Sequence, residues 1–306
     1  MSVKAKRTVL NIRINLGGYM VGVENIGNFI DHPPFLVMSN SFLRVASIQM
    51  CSGQDIHANL KQAKYLIEDA AEQNAQLVAL PENFSYLDRE GKKIDAVENL
   101  ENGPAVQLLQ ELADSNSIYI VGGTVPLLAN ERVTNTCLVF GPDGQIIARY
   151  DKIHLFDIQL DEAHTFIESR YIEAGKTPVT FEALGATMGL SICYDLRFPE
   201  LYRILTDRGA RVLFVPSAFT WRTGSYHWLA LLRARAIENL AYIVAPAQFG
   251  RHNAERESFG HSVIIDPWGQ ILAQAPDRAC TIISELNFAY QDQIRDRLPC
   301  LNHRRI

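Results

Sequence analysis

Three residue types carry the chemistry legible in this sequence: a carboxylate at Glu82, an amine at Lys152 and a thiol at Cys193. Each closes an apolar run. Gln76-Leu-Val-Ala-Leu-Pro-Glu82 ends on the acid, Gln145-Ile-Ile-Ala-Arg-Tyr-Asp-Lys152 on the amine and Gly189-Leu-Ser-Ile-Cys193 on the thiol. At the strand ends of an open sheet these groups would bring together a base, a cation and a nucleophile, where such sheets tend to place their sites. The thiol is also well presented. The chain turns after Cys193 into a helix beginning near Phe198, so two rigid elements hold the sulfur. The free N–H groups of that turn, beginning with Tyr194, point the same way and supply part of an oxyanion site. Taken alone, Cys193 reads first as a buried core cysteine.

The elements that must position these groups follow from periodicity and turn chemistry. Phe42–Gln49 reads as the first strand, and Asp55 caps a helix that sets Leu60, Ala63, Leu66, Ile67 and Ala70 on one face. The strand ending in Glu82, a helix near Ala105–Ser115 and the strand Ile118–Gly122 come next. Thr134–Gly141 and Gln145–Lys152 flank Pro142-Asp-Gly144, a hairpin signal. Residues 153–176 are polar and irregular, and a loop of that length is often functional. Beyond Cys193 the pattern predicts a helix over 198–208, the strand Arg211–Pro216 and a long helix over 225–240 capped by Thr223 or Ser225. The strands Ala241–Ala247, His261–Asp266, Gln270–Gln274 and Thr281–Leu286 precede a polar helix. Strands alternating with helices and broken by hairpins indicate a layered α/β domain with a mixed sheet. Residues 1–40 stand apart: Lys4, Lys6, Arg7 and Arg13 precede any acid, and the remainder is rich in Gly and Asn without steady period. They read as an N-terminal extension, weakly like an organelle-targeting segment, ahead of a single domain over 41–306.

Leu80-Pro-Glu-Asn83, Tyr150-Asp-Lys-Ile-His-Leu155 and Cys193-Tyr-Asp-Leu-Arg-Phe-Pro-Glu200 resemble, in order and spacing, the core motifs of the nitrilase superfamily of carbon–nitrogen hydrolases. The resemblance runs from about Phe42 to the C-terminus. It implies a four-layer α-β-β-α sandwich that dimerises through helices near Cys193, and a catalytic set of Glu82, Lys152 and Cys193. Cys193 would attack an amide carbonyl, its pKa lowered by Lys152. Lys152 and the Tyr194 N–H would hold the oxyanion, and Glu82 would serve as base, then acid, with its own pKa raised by burial. Glu168, in Phe166-Ile-Glu-Ser169, matches a second glutamate of the amidase side, with a solvated loop acid as the alternative. Phe219 and Thr223 fall where the family meets its substrate; capping and core packing explain them as well. Arg235 and Glu238 would pair within the long helix, and Arg197 and Glu200 would brace the turn or meet a partner subunit.

True nitrilases commonly carry Trp-Glu after the nucleophile, whereas Tyr194-Asp195 stands here, which points to amides. The stretch from Gln248 to His261, Asp266-Pro-Trp-Gly269 and the Leu298-Pro…His303-Arg-Arg305 ending resemble the branch acting on deaminated glutathione. That implies release of 2-oxoglutarate and cysteinylglycine in metabolite repair, with Arg251, His252 and Arg256 near the glycine carboxylate or forming only an exposed basic loop. Phe249 departs from the cysteine many relatives carry. The ω-amidases, acting on 2-oxo dicarboxylic acid monoamides, differ in the first stretch and are the alternative.

Composition narrows the rest. In 306 residues a net charge of -5 leaves no basic footprint for nucleic acid, and no apolar run approaches the ~18 residues of a membrane span. Five scattered cysteines, without a CxxC pair, suit a reducing, cytoplasmic compartment better than a disulfide framework. There is no HExxH, paired HxH, GxxxxGK[ST] or GxGxxG, so neither a metal nor a cofactor is expected. His154 and His261 would allow a Cys–His dyad, but no papain-type signature surrounds Cys193. The expected partner is a small-molecule amide, and the expected assembly a homodimer or higher homo-oligomer. A non-catalytic dimeric interaction module is the reading from another class, and the intact Glu82, Lys152 and Cys193 argue against it.

Overall fold

Alternation in three neighbouring strands sets the layers. In Phe42–Gln49, Leu43 and Val45 join one apolar cluster while Ala46 and Ile48 join another. Leu77 and Ala79 against Val78, and Val121 against Ile120, repeat the division. A strand apolar on both faces must be covered twice. One cover is helical: α1 (Ile56–Glu72) and α2 (Pro104–Asn116) bring Ala63, Leu66, Ile67, Ala70, Val106 and Leu109 to the second cluster. The other is a second sheet, whose Met188, Leu190, Val212 and Val244 share the first cluster with Leu201 and Leu205 of α3 (Pro199–Asp207) and Trp228 and Leu232 of α4 (Trp221–Asn239). The architecture is thus α-β-β-α, as the resemblance implied. This computed structural model describes residues 42–88, 91–92, 96–129, 132–159 and 165–306; the expected extension over 1–40 lies outside them.

Among the described residues the first sheet runs Cys280–Asn287, Phe42–Gln49, Leu77–Ala79, Tyr119–Val121, Arg132–Phe140 and Val125–Ala129, with Ile146–Asp151 also paired to Arg132–Phe140. The second runs Ile271–Gln274, Val263–Ile265, Tyr242–Ala245, Val212–Phe214, Ala186–Leu190 and Thr180–Ala183. Each holds a parallel centre, Val45 opposite Leu77 in one and Met188 opposite Val212 in the other, flanked by antiparallel strands. A last helix, α5 (Phe288–Arg297), follows the first sheet's edge strand. No helix among the described residues is long and apolar enough to cross a membrane.

Local chemistry explains the boundaries. The Asp55 carboxylate accepts the Ala58 N–H at 3.0 Å, the cap expected for α1. At the start of α2, Pro104 occupies the first turn, and Glu98 accepts the Ala105 and Val106 N–H groups at 3.1 and 3.3 Å. Helix α4 begins at Trp221 instead of 225, because Thr220 is its cap and not Thr223 or Ser225: the Thr220 hydroxyl accepts the Thr223 N–H at 3.4 Å. The strand expected to reach Cys193 stops at Leu190, and residues 193–197 form a short 3₁₀ turn. Residues 153–176 are less irregular than expected, for Asp157–Gln159 pairs with Thr165–Ile167. The pairs Val125–Ala129 with Arg132–Thr136, and Phe249–Arg251 with Glu257–Phe259, are further additions. Pro126 conceals the first from a propensity reading, being tolerated there because the strand is an edge.

Candidate active site

Glu82, Lys152 and Cys193 each follow a strand end, after Leu77–Ala79, Ile146–Asp151 and Ala186–Leu190, and all three line one cavity. The first two come from one sheet and the third from the other, so the cavity sits where the two sheets open at their strand ends. Lys152 is buried with its ammonium 3.0 Å from Glu82 Oε1 and 2.8 Å from Glu168 Oε2. Burial opposes the charge on Lys152, yet Glu168 and then Glu82 outweigh it and hold the amine protonated, well above its ordinary pKa. Glu168, expected from a loop, stands at the head of a 3₁₀ turn, and its Oε2 also accepts the Phe156 N–H at 2.8 Å. The other oxygen of Glu82, Oε2, accepts the Ala218 N–H at 3.0 Å. Those bonds leave neither carboxylate free to rotate.

The sulfur is set by its backbone. Cys193 has φ of 48°, in the left-handed region that a non-glycine residue adopts only when its surroundings enforce it. The enforcement is visible on both sides. The Cys193 N–H donates to the Pro216 carbonyl at 3.0 Å and the Asp195 N–H to the Ile192 carbonyl at 3.0 Å, while among the described residues no backbone carbonyl takes the Tyr194 N–H. Arg235 of α4 donates Nε and Nη2 to the Leu196 carbonyl at 3.1 and 2.8 Å and pairs with Glu238 at 2.9 Å, the helix pair expected. Contrary to the expectation of an acidic thiol, Cys193 is pushed upward, by burial first and by the Glu82 charge second; Lys152 and the Ala218 N–H only partly offset this. The resting sulfur is therefore protonated.

Two residues given no site role in the sequence analysis organise the site. Asn135, wholly buried, donates its Nδ2 to Glu82 Oε1 at 2.9 Å and to Glu168 Oε1 at 3.2 Å. The signal was Thr134-Asn-Thr136, three polar residues inside a strand that must be buried. Asp195, also wholly buried, accepts the Ile192 N–H at 2.8 Å, the Tyr150 hydroxyl at 2.7 Å and the His154 N–H at 3.0 Å, and lies 2.7 Å from His154 Nδ1. His154 thus anchors its loop, stacked on Phe198 with centroids 3.7 Å apart, and neither it nor His261 lines the cavity.

Tyr194, Phe219 and Thr223 line the cavity with Phe156 and Phe166. Arg251 does not. Its side chain is 70 % exposed on the Phe249–Arg251 strand, 3.8 Å from Glu257. His252 is likewise outside the cavity, with Nδ1 2.7 Å from the Ser52 carbonyl. Arg256, across the ribbon's turn, is the basic residue of this stretch that reaches the cavity. No group of three or more metal-ligating side chains occurs among the described residues.

A layered sandwich with an acid–amine–thiol cluster at its strand ends defines the nitrilase-type hydrolases as a class. The chain belongs to the carbon-nitrogen hydrolase family, whose profile matches residues 44–296. A deaminated glutathione amidase from Synechocystis is 44 % identical over 264 residues, covering 85 % of this chain and 97 % of that one. The omega-amidase NIT2 of Mus musculus is 37 % identical over 265 residues, covering 87 % and 96 %. The crystal structure of Saccharomyces cerevisiae Nit3, described as a member of branch 10 of the nitrilase superfamily, superposes with a TM-score of 0.79 at 32 % identity, covering 87 % of this chain and 97 % of that one.

Proposed function

We propose that the chain is a cysteine-dependent amidase that hydrolyses the amide of deaminated glutathione to 2-oxoglutarate and cysteinylglycine, a metabolite-repair reaction. The observation that carries the reading is the convergence of Cys193 with the Glu82–Lys152–Glu168 cluster on one cavity. Likeness to the Synechocystis amidase over nearly its whole length supports the substrate.

The geometry supports the following course. Glu82 takes the thiol proton as Cys193 Sγ bonds to the amide carbon, and the carbonyl electrons move to oxygen. Lys152 Nζ and the Tyr194 N–H hold that oxyanion, and losing one such donor typically costs about 2.7–4 kcal/mol of barrier. The carbon–nitrogen bond then breaks as Glu82 returns the proton to the departing amine, leaving a thioester. Water gives a proton to Glu82 and attacks the thioester, releasing the acid and restoring the thiol. Because the resting thiol is neutral, the base is needed at the moment of attack. Glu168 holds Lys152 in place, and Tyr194, Phe219 and Thr223 shape the wall against the acyl chain.

The deciding assay offers deaminated glutathione and a 2-oxo dicarboxylic acid monoamide side by side, reading 2-oxoglutarate, cysteinylglycine and ammonia. Cysteinylglycine from the first, abolished in Cys193→Ala, is expected; efficient turnover of the monoamide alone would move the chain to ω-amidase, the reading favoured by its likeness to the Mus musculus protein. If Cys193 labels with a thiol reagent no faster than Cys51, Cys137, Cys280 and Cys300, and substrate does not shield it, the non-catalytic module takes precedence. The same reading includes a homodimer in a reducing, cytoplasmic setting. Exposed Trp221, Tyr226 and Ile237 on α4 and Ile204 on α3 support the contact, and five free cysteines among the described residues support the compartment.

A further inference from the structure

The cavity that holds Cys193 contains a second cation with little to bind. Arg256 lines it, and a guanidinium has five N–H donors. Among the described residues only one is engaged, Nη1 to the Asp88 carbonyl at a long 3.4 Å, and no carboxylate pairs with it. Its Nε is shut away from solvent with no partner among the described residues. The nearby Asp88 carboxylate instead accepts Gln54 Nε2 at 2.8 Å and Asn253 Nδ2 at 3.2 Å. Lys152, by contrast, is neutralised by two glutamates. A half-buried cation with idle donors is costly unless an anion completes it.

The turn that carries Arg256 is held still. Asn253 Oδ1 accepts the N–H groups of Glu255 and Arg256 at 2.8 and 2.9 Å, and the His252 N–H donates to the Arg256 carbonyl at 3.0 Å. His252 supplies no competing charge: burial first, and the Arg256 charge second, push it down to about 4. One preorganised guanidinium is therefore presented to the cavity, and its planar fork matches a carboxylate.

We propose that Arg256 sets substrate specificity by receiving, through its guanidinium, a carboxylate that the amide substrate carries away from the scissile bond, so that carboxylate-bearing amides are selected over neutral ones. This rests on the amidase reading of the same cavity. The test uses the full-length enzyme with Arg256→Gln and Arg256→Lys, on deaminated glutathione and on two analogues in which one or the other carboxylate is a carboxamide. The wild type is expected to lose about ten- to a hundred-fold in kcat/KM on one analogue, mainly through KM, as for a lost charge-assisted hydrogen bond. Arg256→Gln should lose the same factor on the diacid and nothing more on that analogue, and Arg256→Lys should recover part of it. An equal loss on all three substrates, or on none, would overturn the proposal. If the wild type cleaves none of the three, it is the amidase reading that fails. Calorimetry with glutarate then decides the anion site: at least ten-fold weaker binding in Arg256→Gln supports it, and unchanged or absent binding in the wild type overturns it.

Discussion

Glu82 affects Cys193 in two opposing ways, which one substitution separates. Its charge raises the thiol pKa, second only to burial, while its carboxylate is the base that removes the proton. Glu82→Gln should therefore lower turnover about 10²–10⁴-fold, the usual contribution of a general base. The thiol pKa should move down at the same time, since the negative charge is gone and Lys152 remains. Iodoacetamide labelling at pH 8 should accelerate as amidase activity collapses; parallel falls in both would show that Glu82 is not the base. Asn135 makes a second case. In Asn135→Leu both carboxylates lose a donor, and about ten- to a hundred-fold of kcat should go at every pH. In Asn135→Asp an acid replaces the donor, and its O–H can bridge only when protonated. The pH–rate profile of that variant should recover toward low pH, whereas the leucine variant's should not.

At the scale of elements, Gly224 tests how α4 supports the ribbon that carries Arg256. A Cβ added there would collide with Phe259 Cβ, on the Glu257–Phe259 strand. Alanine is better than glycine in a helix by about 1 kcal/mol, but a contact that close must displace helix or ribbon. Gly224→Ala should lose about 1–2 kcal/mol net, read from the urea midpoint, with a rise in KM as the ribbon shifts. Such contacts explain what the sequence did and did not disclose. Long runs with steady period, Phe42–Gln49 and α1, were plain, and Asp55 marked its helix start. Glu82, Lys152 and Cys193 were visible because each ends an apolar run. Asn135 and Asp195 were not, because their roles depend on partners far along the chain and no local period records them. Arg251, His252 and Arg256 could not be told apart for the same reason: which basic side chain of a short ribbon faces inward is decided by the turn, and three-residue strands barely register in a propensity reading.

At the scale of the whole molecule, His252 gives the fold a pH dependence of known sign. Its folded pKa is about 4, against 6.5 for the ordinary group, because burial and then Arg256 disfavour the charge. Between those values the unfolded chain binds a proton that the folded chain refuses, so stability falls as pH drops from 6.5 to about 4. The full loss is on the order of 3 kcal/mol. His252→Asn, which keeps a donor for the Ser52 carbonyl, should flatten that part of the curve, measured as urea midpoints at pH 7 and pH 4. The proposed single domain over 41–306 is tested by truncation: a chain starting at Met38 should fold and turn over amide as the full chain does, since the buried apolar residues described begin at Leu43. A lower melting temperature would give residues 1–37 a structural part.

Asp195 fastens the turn that bears the sulfur to the segment that bears the ammonium, through Tyr150 on one side of Lys152 and His154 on the other. Neither half can loosen while its counterpart stays ordered. Heat should consequently extinguish activity and melt the protein over the same few degrees, with no cooler interval in which an intact sandwich carries a dead centre, and the amides of Ile192 and His154 should exchange their hydrogens in step.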